Sequence, residues 1–222
     1  MKLKKIASLM LAGIMAVSML AGCDGKGGSG EEENPVVPAE TGVVAYANDA
    51  LTADQKEIFT YAASADLDAI LKDLASSTSN FDKDTIHRIY SQYSEKYEGE
   101  LIKKLNGKLD GIVLSDNDFS EAPADGKSQK RGLVYTISGR LDAEEAVGKI
   151  AGVVGGYVER DNDNNGITCP DVVEYNGTKY DCAYSAEISA VKVSSSSAPN
   201  ESAWVVAIVL TQNLTKVSNT VA

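Results

Sequence analysis

A chain of 222 residues, 43% of them hydrophobic, is long enough to bury one ordinary core and too short for several. Its 32 acidic and 21 basic side chains leave a net charge of -11, which repels nucleic acid and anionic lipid surfaces alike. Cys169 and Cys182 are only two sulfurs with no histidine nearby in the sequence, which argues against a structural zinc site.

The first 22 residues read as an export leader. Lys2, Lys4 and Lys5 precede an apolar stretch from Ile6 to Leu20, which is shorter than the ~20 apolar residues that a membrane span needs. Leu20-Ala21-Gly22-Cys23 follows, and this short run resembles the lipobox of bacterial lipoproteins. The resemblance is confined to the leader. It implies cleavage before Cys23, a diacylglyceryl group on the Cys23 thiol, and a place on the extracytoplasmic face of the cell membrane. Two acyl chains anchor stably where one binds only marginally. Losing the leader removes three lysines and no acidic residue, so 18 basic side chains face 32 acidic ones and the net charge becomes -14.

Residues 23–41 are rich in Gly, Ser, Glu and Pro, the composition of a flexible, self-repelling tether. Gly25, Gly27 and Gly30 spell GxGxxG there, but no strand precedes them and no helix follows, so they make no nucleotide site. Residues 42–222 are expected to form a single α+β domain.

Thr52 and Gln55 form a capping box, and the apolar spacing from Ile58 to Leu74 predicts a helix over 53–75. Ile86, Tyr90, Tyr93, Tyr97, Leu101 and Leu105 predict a second helix over 83–105, so the pair is read as a helical hairpin. Short strands are expected at 111–115 and 132–138. Asp142 and Glu145 open a further helix running to about Val154, whose Gly148, Gly152 and Gly156 are expected to pack closely onto a sheet. Asn176-Gly177 sets a hairpin between 172–175 and 178–180, and alternation continues the second strand past Tyr180. Ala203 to Leu210 is apolar almost throughout and reads as a central strand holding Trp204 in the core. The expected architecture is therefore an N-terminal helical hairpin and one further helix on one side of a mainly antiparallel sheet.

Few residues offer chemistry. Cys169 lies two positions beyond the residue opposite Cys182 across the hairpin, which allows a diagonal disulfide or leaves two thiols. Asp161, Asp163 and Asn165, with Gly166 behind them, have the spacing of the first half of a calcium loop. Position twelve is Val172 instead of Glu, and Pro170 interrupts the loop, so a polar turn is the favoured reading and calcium the alternative. His87 reads as a surface residue, and the stripe Tyr90, Tyr93 and Tyr97 reads as a helical seam in preference to a stacking surface. No nucleophile motif is set, and nothing selects two of the many carboxylates as an acid–base pair.

A tethered domain with so thin a catalytic inventory points to a non-enzymatic envelope module that binds or scaffolds an envelope protein or glycan. The alternatives are an extracellular carboxylate hydrolase, marked by a raised carboxyl pKa in a cleft, and a small solute-binding component of an uptake system.

Overall fold

The computed structural model describes residues 36–37, 42–77, 80–109, 119, 123, 126–159 and 167–217. Cys23, the leader, the expected strand at 111–115, and Asp161, Asp163 and Asn165 lie outside the described residues. The described residues all belong to one compact unit, Glu32–Ala222.

In chain order the elements are β1 (Val36–Val37), α1 (Val43–Asp49), α2 (Ala53–Ile58), β2 (Tyr61–Ala62), α3 (Ala65–Ser76), α4 (Lys83–Tyr90), β3 (Lys96–Tyr97) and α5 (Gly99–Asn106). They continue with β4 (Gln129–Ser138), α6 (Ala143–Tyr157), β5 (Val158–Glu159), β6 (Ile167–Thr168), β7 (Val172–Tyr175), β8 (Thr178–Ser195) and β9 (Ala198–Lys216). The fold is α+β, as the sequence predicts.

The long hairpin β8–β9 is the spine of the sheet, whose path runs β1-β8-β9-β4-β3. Along its outer edge β8 meets three short strands in succession: β7 at Asp181, β2 at Ala186 and β1 at Val193. All pairings in this sheet are antiparallel except the short β2–β8 contact. At the β7–β8 turn, Asn176 and Gly177 take φ of 49° and 74°, the left-handed pair that a two-residue hairpin turn demands. Ala203 to Leu210 is buried at every position, since β9 lies between β8 and β4 with helices over both faces.

Strand alternation divides the core in two. Leu133, Tyr135, Ile137, Ile188, Trp204, Val206 and Ile208 face α1 and α6, while Val134, Val191, Val205, Ala207 and Val209 face α3, α4 and α5. Helices therefore cover both faces of the sheet, not one as expected. The glycine-bearing α6 also packs differently from expectation. Positions for a Cβ on Gly148 and Gly152 lie 3.8–4.0 Å from the Tyr46 carbonyl and from the backbone and Cβ of Ala50, so the close approach is to the end of α1. Gly156 meets nothing within 4 Å, and the tight position is Gly155, against Leu51 of the α1–α2 connection.

The two long N-terminal helices are each broken. Extended backbone at Phe59 ends α2, and Ser64 restarts the chain as α3 by accepting a hydrogen bond from the Leu67 N–H. Between them Tyr61 is buried: its N–H donates to Asn48 Oδ1 at 2.8 Å, Asn48 Nδ2 donates to its carbonyl, and its hydroxyl donates to the Ala151 carbonyl. Likewise α4 stops at Tyr90 and the chain forms the edge strand β3 before α5. In both places the backbone leaves the helix to pair with the sheet, Tyr61 beside Ala186 and Tyr97 beside Tyr135, and only Tyr61 is buried by it.

Candidate functional site

The break between α4 and α5 places a group of tyrosines at the β3 edge. Tyr97 pairs with Tyr135 of β4, ring centroids 5.5 Å apart and edge to face. Tyr135 is buried; Tyr97 is 50% exposed. Tyr157, at the end of α6, and Glu95 lie near enough to Tyr135 to add to the burial that pushes its phenol up to about 12. Lys149 of α6 donates to the Tyr93 carbonyl at 3.0 Å and stands 3.9 Å from Glu95, tying the 91–95 segment to the helix.

Arg140, in the turn between β4 and α6, extends the group. Its guanidinium lies 4.3 Å from the ring centroid of Tyr90 and 5.5 Å from that of Tyr93, and it donates to the Tyr93 hydroxyl at 3.1 Å. These tyrosine contacts hold the Arg140 pKa above its ordinary value, the Tyr93 hydrogen bond foremost. The result is a surface of aromatic rings held by cationic side chains. The large hydrophobic side chains exposed among the described residues are Tyr93 at 52%, Tyr97 at 50%, Tyr157 at 51% and Val172 at 46%. Three of the four belong to this surface. The expected helical seam is thus corrected for Tyr93 and Tyr97, which stand in solvent because α4 ends before them. The period that suggested the seam was real, but Ser91 and Ser94 in the same stretch are stop signals that could have revealed the break.

A second cluster lies at the end of the central strands where Gln129 of β4 pairs with Gln212 of β9. Gln212 of β9, fully buried, donates through Nε2 to the Phe119 carbonyl at 2.9 Å and to the Tyr184 hydroxyl at 3.0 Å, and lies 3.5 Å from Cys182 Sγ. Its Oε1 accepts from Gln129 Nε2 at 2.6 Å. The Tyr184 hydroxyl in turn donates to the Pro170 carbonyl at 2.7 Å. Burial raises the pKa of both Tyr184 and Cys182, making each a weaker acid. Cys169 and Cys182 are present here as thiols, Cys169 buried and Cys182 half-buried.

His87 is exposed on α4, its Nδ1 2.9 Å from a carboxylate oxygen of Glu201. Asp82 and Glu100 have their carboxyls held below the ordinary range, by the Thr85 backbone N–H and by Lys103 respectively, the reverse of what a general acid needs. Among the described residues no group of three metal-ligating side chains occurs, and no helix is long and apolar enough to cross a membrane. Comparison of the chain with protein-family models, curated proteins and solved structures finds no match.

Proposed function

We propose that the chain is a lipid-anchored, extracytoplasmic binding module that presents its tyrosine surface to another component of the cell envelope. Cys23 carries the anchor, residues 23–41 the reach, and the α+β domain the contact. The observation that supports the binding reading is the gathering of Tyr93, Tyr97 and Tyr157 at the β3 edge, with Arg140 and Lys149 beside them. Tyrosine and arginine dominate recognition surfaces because they offer a large rigid area and a polar tip at little conformational cost. A solvated domain has no internal reason to keep three such rings exposed together.

Two measurements test the two halves. Cells fed an alkynyl fatty acid should label the full chain, and Cys23→Ser should abolish the label; a labelled Cys23→Ser chain would remove the anchor reading. For binding, the detergent-extracted full chain is sedimented with isolated cell-wall sacculi and, separately, passed over immobilised envelope proteins. Tyr97→Ala with Tyr157→Ala should weaken retention on one of these at least about tenfold while leaving the melting midpoint within a few degrees. Equal retention of variant and parent on both would sink the tyrosine surface as the contact.

A further inference from the structure

We propose that Cys169 and Cys182 form a thiol–disulfide clasp across the open end of the β7–β8 hairpin, with Cys182 reacting first and Cys169 resolving.

The register brings them together. Val172 stands opposite Asp181, and the Cys182 N–H donates to the Asp171 carbonyl at 2.8 Å, so the ladder continues one step beyond β7. Counting on, Cys169 falls opposite Tyr184, the next residue after Cys182 on the same side of β8. Cys169 and Tyr184 both pack in the core facing α1 and α6, in keeping with a shared face. Diagonal neighbours on one face have Cα atoms about 7–8 Å apart, just beyond the ~7 Å limit that a disulfide spans. The remaining gap is small. Pro170 releases the ladder at that point, and its carbonyl is drawn to β8 by the Tyr184 hydroxyl at 2.7 Å.

Accessibility sets the order. Cys169 is 2% exposed, whereas Cys182 is half-buried and open to a small disulfide from solvent. The Cys182 thiolate attacks one sulfur of a low-molecular-weight disulfide, expels one thiolate and becomes a mixed disulfide. Cys169 gives its proton to solvent, attacks the Cys182 sulfur and expels the second small thiol. Two protein thiols are oxidised to one disulfide, and one disulfide reagent is reduced to two thiols. Burial raises the Cys182 pKa, so the first step accelerates with pH. The product ties β8 to the strand β6, which the Cys169 backbone continues.

The test treats the folded, lipidated full chain with oxidised glutathione and maps its peptides by mass spectrometry without reduction. The parent should yield a Cys169–Cys182 linked peptide, together with a raised melting midpoint that a reductant reverses. Cys169→Ser should halt at a glutathione adduct on Cys182, and Cys182→Ser should leave Cys169 unmodified while the chain is folded, as checked by circular dichroism. Cys169→Ala serves in place of Cys169→Ser where the buried hydroxyl unfolds the chain. Accumulation of the Cys182 adduct in the parent without a linked peptide overturns the clasp. So does a link that forms only after denaturation.

Discussion

Gln212 shows how one side chain fixes a region far from it in sequence. Its amide holds the Phe119 carbonyl and the Tyr184 hydroxyl in the core, where water cannot replace it. Gln212→Leu keeps the bulk and strips both acceptors of their donor, so it should destabilise by about 2–3 kcal/mol in urea unfolding. A change below about 0.5 kcal/mol would show that the network contributes little. Gly139 is decided by space instead. A Cβ there would stand 2.5 Å from the Ser202 backbone, at the point where the Gly139 N–H donates to the Ser202 carbonyl at 2.9 Å. Gly139→Ala must part β4 from β9 at that end and should cost more than about 2 kcal/mol. Neither Gln212 nor Gly139 carries a local sequence signal, because each acts through a neighbour more than sixty positions away.

The helix starts, by contrast, are local chemistry and were legible. Asp142 accepts the Glu145 N–H at 2.8 Å while the Glu145 carboxylate accepts the Asp142 N–H, completing the expected box. Thr52 and Gln55 do the same for α2. Asp142→Ala should lower stability by about 1 kcal/mol, with Asp142→Asn recovering most of it, both read from denaturant midpoints. Helix ends were less legible. The apolar spacing through Tyr61 and through Tyr97 continues the helical period, yet both residues pair in the sheet, at Ala186 and Tyr135. A residue that satisfies both periods is assigned by its tertiary neighbour.

For the whole molecule, alkali is the informative stress. Burial raises the phenols of Tyr61, Tyr135 and Tyr184 above the ordinary value of 10.0, Tyr135 to about 12. A raised folded pKa contributes stability that is complete below pH 10 and is lost as pH climbs through the folded value, because the unfolded chain ionises first. Unfolding free energy should therefore fall between about pH 10 and 12, and Tyr135→Phe should flatten that fall. An unchanged slope would mean that Tyr135 does not titrate with unfolding. Calcium supplies a second global readout for Asp161, Asp163 and Asn165. Proposed as an oxygen-ligand loop, they predict a melting midpoint raised by millimolar calcium relative to EDTA, and abolished by Asp161→Ala with Asp163→Ala. No calcium shift in the parent would leave the segment a turn.

The sequence by itself determined the α+β class, the capping boxes, the Asn176-Gly177 hairpin and the central place of Ala203 to Leu210. Each rests on interactions among residues a few positions apart, or on apolar runs that only a covered strand explains. The tertiary structure alone decided that helices cover both sheet faces, that Gly148 and Gly152 of α6 face the end of α1, and that Tyr93 and Tyr97 leave the helix for the surface. Those outcomes depend on which distant surfaces compete for the same apolar side chains. Local spacing records that a residue is apolar and with what period, but not which partner will bury it or whether any partner does.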